Sequence, residues 1–199
     1  MKKLIPILLL AFLAAQIHAQ IAVSGRYLSN STPEVENIFI DLGIGSGYEV
    51  GVGYWFRLKN KRMEFIPEVS YGSISADGTG NITTFGFNSN IQIYPLDFHS
   101  DCDACPTFSK EGGLIKKGFY WIINPGLLLV DSDINSNFTY RVGLGGGLDI
   151  GVTNLLTVSP FAMYSFAGNG IALNETQNGN LNQIHIGARL IFRYDRDRW

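Results

Sequence analysis

The sequence predicts an all-β fold: eight antiparallel strands, connected up and down, closed into a barrel that crosses a membrane. Three observations carry this. Apolar residues recur at every second position in stretch after stretch, the period of a strand and not of a helix. Charged residues make up 16% of the chain, and 23 residues are glycine, against a charged fraction of ~25% in soluble domains. The N-terminus carries an export signal, whereas no later window holds the ~20 apolar residues of a spanning helix.

The export signal is read first. Lys2 and Lys3 precede an apolar run, 4–15, and Ile17-His18-Ala19 is a cleavage site before Gln20. This is the pattern of a secretory signal peptide. Residues 1–19 are therefore expected to be removed, leaving 20–199 as one domain. Without Lys2 and Lys3, the 15 basic residues fall to 13 against 17 acidic ones, a net charge of −4. An electrostatic nucleic-acid binder would be basic.

The strands follow in order. Residues 21–28 set Ile21, Val23 and Tyr27 against Ser24 and Arg26; a long polar connection, 29–46, comes next. In 47–58, Tyr48, Val50, Val52, Tyr54 and Phe56 alternate with Glu49, Gly51, Gly53, Trp55 and Arg57, and a charged turn, 59–62, ends the strand. Residues 63–75 oppose Phe65, Val69 and Tyr71 to Glu64, Glu68, Ser70 and Gly72. Asp77-Gly78 marks a tight turn. Strand 81–95 leads into an irregular segment, 96–117, which holds both cysteines.

Residues 118–130 form the most apolar strand. In 138–150, Phe138, Tyr140, Val142 and Leu144 alternate with Thr139, Arg141, Gly143 and Gly145. A short turn, 151–154, precedes strand 155–166, and 168–181 reads as an Asn-rich loop. The closing strand, 182–194, sets Ile184, Ile186 and Leu190 against His185, Arg189 and Arg193. Pro67, Pro125 and Pro160 fall inside strands and, lacking a ladder donor, should each mark a bulge or a local break.

Alternation alone does not say which face meets solvent, and a soluble lipocalin-like barrel alternates too. The polar face here is rich in glycine, which suits a narrow lumen. Its charges can pair inside: Arg26, Arg57, Arg141, Arg189 and Arg193 with Glu49, Glu64, Glu68 and Asp149. Buried charges must pair in this way. Tyr and Phe near the strand ends of the apolar face form two aromatic girdles. The turns at 59–62 and 151–154 then face the periplasm, and 29–46 and 168–181 face outward.

The signal peptide, the eight amphipathic strands and the ending Arg189-Leu190-Ile191-Phe192-Arg193-Tyr194 with Trp199 resemble small outer-membrane barrels of the OmpA/OmpX-like kind. Cys105-Pro106-Thr107-Phe108-Ser109-Lys110 with Lys116-Lys117-Gly118-Phe119 also looks like barrels of the Bacteroidetes type. The resemblance implies a Gram-negative outer-membrane location, surrounding lipid, a monomer, and a C-terminal aromatic signal read by the barrel-assembly machinery. Trp199 is out of phase with the lipid-facing residues, so Tyr194 is the last membrane position on this pattern.

Three constellations could carry chemistry. Cys102 and Cys105, in an exported chain, are candidates for a disulfide; one CxxC near His99 is half a zinc site, and a redox role would need a low-pKa thiolate. The charged lumen set, with His185, is either a paired plug or an ion pathway; eight strands enclose a space that side chains fill. His185 has no nucleophile motif beside it. The expectation is a non-enzymatic barrel with no cofactor and no metal, sealed by its polar lumen and working through its loops on an envelope or external partner. A narrow pore for solutes or ions is the alternative.

Overall fold

In the computed structural model the described residues are 20–31, 45–58, 61–76, 80–98, 113–131, 136–174 and 177–193. The candidate signal peptide, Cys102, Cys105, His99, Tyr194 and Trp199 lie outside them. The strands are β1 (Gln20–Ser31), β2 (Ser46–Tyr54, resumed after Trp55 by Phe56–Arg57), β3 (Met63–Ala76) and β4 (Gly80–Ile93). They continue with β5 (Phe119–Asp131), β6 (Ser136–Leu148, resumed after Asp149 by Ile150–Gly151), β7 (Leu156–Asn174) and β8 (Gln177–Arg193).

Each strand pairs antiparallel with its chain neighbours, and β8 returns to β1 in register from Gln20↔Arg193 to Ser31↔Asn182. The sheet is closed. Closure leaves no row of unpaired backbone groups, which is the condition for a sheet to survive in lipid. Between β4 and β5 the chain makes a 3-10 turn, Pro95–Asp97, and a short helix α1, Leu114–Gly118.

The two faces of the wall are opposite in character. Val52, Val69, Phe87, Leu144, Tyr164 and Ile186 point outward and are exposed, Phe138 at 70%. On every strand the alternate residues are buried within, charged ones included. An apolar belt on all eight strands far exceeds the patch of a few hundred Å² that water-soluble monomers expose. The soluble, apolar-inside alternative is thereby overturned. Among the described residues no helix is long and apolar enough to cross a bilayer; the crossing is made by strands.

One expectation needs correction. Residues 168–181 are not simply a loop: β7 and β8 continue through them as a hairpin, with Gln177↔Asn174 pairing beside 175–176 and register shifts between Gln177 and Asn178 and between Gly179 and Leu181. Pairing to a neighbour strand overrides the turn-forming tendency of Asn and Gly. Of the two outcomes expected at the prolines, a bulge or a local break, each makes the local break. Pro67 pairs with Ser89, while the β2–β3 ladder jumps from Gly53↔Glu68 to Phe56↔Phe65 without changing register.

Pro125 opens the same kind of gap toward β4, between Asn88↔Gly126 and Ile91↔Ile123. Pro160 opens one toward β6, between Gly147↔Phe161 and Ile150↔Val158. A missing N–H removes bonds without adding a residue, so the pairing resumes in phase. Trp55 and Asp149 sit opposite two of these gaps. Their backbone N–H groups still donate on the other side, to the carbonyls of Gln20 and Gly118, each at 2.9 Å.

Candidate functional site

Among the described residues, polar and charged side chains gather in the lumen, and they do so in layers. At the end opposite Gln20 and Arg193, Leu28, Ile74, Ile82, Leu128, Val130 and Leu181 pack together, all buried. These residues share the inward parity of the charged positions, so the barrel closes them into an apolar layer across its interior.

Beneath that layer lies a charged cluster. Arg141 of β6 grips Glu49 of β2 with both terminal nitrogens, at 2.8 and 3.0 Å. Arg26 of β1 lies between two carboxylates, hydrogen-bonded to Glu49 and, at 2.8 Å, to Glu68. Ser24 donates to the other oxygen of Glu68 at 2.7 Å. Two guanidiniums and two carboxylates balance here, each held by more than one bond, as fully buried charges require. Gly51 leaves the room for it: a Cβ there would strike the Glu68 side chain.

His185 also lies in this zone, its Nε2 2.6 Å from Ser165 Oγ. The pair has the makings of a nucleophile and base, but both residues are fully buried under the apolar layer, and His185 Nδ1 has no partner to orient the ring. Ser–His catalysis needs that third group and a path for substrate. As placed, the pair is part of the wall.

The third layer lies at the end of the short turns. Glu64 accepts from Trp55 Nε1 at 2.7 Å. The Tyr94 hydroxyl is 2.6 Å from Asp149 Oδ2 and 3.0 Å from Glu64 Oε2, its one proton serving both. Ser159 donates to the other Asp149 oxygen. Tyr94, one residue beyond β4, is fully buried; burial pushes its phenol well above the ordinary range, Asp149 and Glu64 add to this, and it stays a donor.

Arg62 closes the end. It stacks on the Tyr94 ring at 3.9 Å, donates to Asp97 at 2.7 Å and binds the Lys117 carbonyl. Burial opposes its charge, but Tyr94, Glu64, Asp149 and Asp97 outweigh that and hold the guanidinium above its ordinary range. One side chain thus joins the start of β3 to the 3-10 turn and to α1. Arg62, read in the sequence as part of the charged turn 59–62, is buried and points inward, in phase with Glu64 and Glu68.

Arg189 and Arg193 of β8 are buried and point into this layer, Arg189 over the Phe161 ring at 5.2 Å and Arg193 over Trp55 at 5.0 Å. Arg57 is half-buried at the same end. Arg26, Glu49, Glu64, Glu68, Arg141, Asp149 and His185 are the remaining sequence-identified lumen residues, and all are buried inside. Trp55, Arg62, Tyr94 and Ser165, with Ser24 and Ser159, join them in these contacts. Their inward parity was readable for all but Tyr94, which lay at the uncertain end of its strand. Among the described residues no cluster of His, Cys, Asp and Glu could hold a metal ion.

No protein-family model matches the chain, and no curated protein matches it significantly. Among solved structures, the crystal structure of Neisserial surface protein A (NspA) is similar at 13% identity over 86% of this chain and 95% of that one, with a TM-score of 0.48. The backbone structure of the Yersinia pestis outer membrane protein Ail in a phospholipid bilayer nanodisc is similar at 13% identity over 87% and 99% of the two chains, TM-score 0.40. By its own two faces and its closed ladder, the chain is an eight-stranded antiparallel transmembrane β-barrel, apolar outside and charged within.

Proposed function

We propose that this chain is an integral outer-membrane protein that is not an enzyme, whose lumen is a structural plug, and whose work is done by its loops on an envelope or external partner. The observation that carries the reading is the filling of the lumen. An apolar layer spans one end, the Arg26–Glu49–Arg141 bridge spans the middle, and Arg62 joins β3, the 3-10 turn and α1 at the other end. A barrel of eight strands holds side chains and no water column, whereas aqueous channels come with ~16 strands or more.

The reading assigns that work to the connections between strands, since loops on a rigid scaffold are where binding residues collect. The test has two parts. In planar lipid bilayers the refolded mature protein should give no conductance steps. Shortening the β1–β2 connection within 32–44 should leave a heat-resistant barrel but abolish the cell-surface or envelope association of the parent. Steps whose size changes in Arg141→Ala would replace this reading with a pore.

A further inference from the structure

We propose that the lumen binds a small inorganic anion at Arg189, in the layer next to the short turns. The inference starts from charge. Among the described lumen-facing residues, six guanidiniums (Arg26, Arg57, Arg62, Arg141, Arg189 and Arg193) face four carboxylates (Glu49, Glu64, Glu68 and Asp149). Asp97, on the turn, answers Arg62 as a fifth. The interior is left positive, and the surplus is not spread evenly.

Arg26 and Arg141 are matched by Glu49 and Glu68. Glu64 is held by the neutral donors Trp55 and Tyr94, with Arg62 Nε 3.8 Å from its other oxygen, and Asp149 by Tyr94 and Ser159. Arg189 is fully buried, and its Nε, Nη1 and Nη2 all lack a hydrogen-bond partner. Arg193 has Nε and Nη1 without one, and Arg57 has Nε and Nη2.

A buried cation with no bonded partner is among the costliest groups a protein can hold, and a guanidinium cannot escape by losing its proton. A bound anion supplies what is missing: opposite charge and acceptors for several N–H donors at once, the geometry in which arginine binds oxyanions and halides. Arg193 lies four residues from Arg189 on the same face of β8, and Arg57, half-buried, lies at the mouth. The three place the surplus positive charge at that end of the lumen. The Phe161 and Trp55 rings, stacked on Arg189 and Arg193, hold the two side chains in place.

The experiment uses the refolded mature protein in detergent. Its unfolding midpoint is titrated with sodium bromide, sodium phosphate or sodium gluconate at equal ionic strength, so that screening is common to all three arms. A ligand that binds only the folded state raises the midpoint saturably. We expect bromide or phosphate, but not the bulkier gluconate, to do so; the arm that responds tells a halide from an oxyanion. The response should vanish in Arg189→Gln and persist in Lys61→Gln, on the exposed turn. Crystals soaked in bromide should show an anomalous peak against the Arg189 guanidinium if the halide is the ligand. Equal midpoints in all three salts for the parent protein would overturn the proposal, whether or not Arg189→Gln folds, and so would an unchanged response in that variant.

Discussion

Arg141 and Glu49 meet across the lumen from strands on opposite sides of the barrel, β6 and β2, through two parallel hydrogen bonds of 2.8 and 3.0 Å. Ninety-two positions separate them in the chain. No pairing between adjacent strands could substitute for the contact, because it spans the cylinder that the ladders only enclose. Arg141→Ala leaves Glu49 with Arg26 alone and should destabilise the barrel by about 3–5 kcal/mol. Urea unfolding of the lipid-refolded protein measures this. Removing both partners, as Arg141→Met with Glu49→Met, should cost clearly less than the sum of the single changes, since neither then strands a buried charge.

The Tyr94 phenol gives a pH dependence with a definite sign. Its pKa in the folded barrel is raised above the ordinary value of 10.0 by burial and by Asp149 and Glu64. The folded state therefore holds that proton more tightly than the unfolded chain does. Its contribution is complete below pH ~10 and is lost as pH climbs from there toward the folded-state value. Unfolding midpoints should fall above pH ~10, and Tyr94→Phe should remove that part of the decline. The variant should also be less stable at neutral pH by about 1–3 kcal/mol, because Asp149 and Glu64 lose a donor.

The outward face predicts a depth dependence. Val69 and Leu144 lie near the middles of β3 and β6 and are exposed at 62% and 61%. Arginine at either should cost about 2–4 kcal/mol in a bilayer, whereas arginine at Leu155, beside the turn, should cost about 0–1 kcal/mol. Equal costs at all three sites in lipid would mean that the belt is not in the hydrocarbon.

Two glycines separate a close backbone approach from open space. A Cβ on Gly145 would collide with the Ala162 carbonyl and the Met163 backbone of β7, whereas a Cβ on Gly25 would meet nothing. Gly145→Ala should therefore destabilise by about 1–3 kcal/mol. Gly25→Ala should be neutral or slightly stabilising, as removing unfolded-state freedom is at a compatible position. Parallel unfolding of the two variants checks this.

Much of this architecture was legible because a strand has a period of two. Once Tyr48, Val50 and Val52 are put outside, Glu49 and Gly51 must be inside, and the same rule places Arg26, Glu68, Arg141 and Arg189. What it could not give is distance across the lumen, so the partner of Arg141 was open. Parity also says nothing of layering. Leu128 and Val130 share the inward parity of Asn124 but are apolar, and only closure stacks them with Leu28 and Ile74 into a plug. Arg62 looked like a turn residue because it follows Lys61; its phase with Glu64 was the missed signal. The hairpin through 168–181 was hidden by Asn- and Gly-rich composition, which pairing overrode.

The central claim is that the apolar face is the outer one and the sheet is closed. Gel mobility of the mature protein, refolded in detergent and run in SDS with and without boiling, tests it most directly. A closed membrane barrel should resist SDS until heated, so the unheated sample should migrate apart from the boiled one and require detergent to remain in solution. A protein that dissolves without detergent and runs at one position whether or not it is heated would contradict the account.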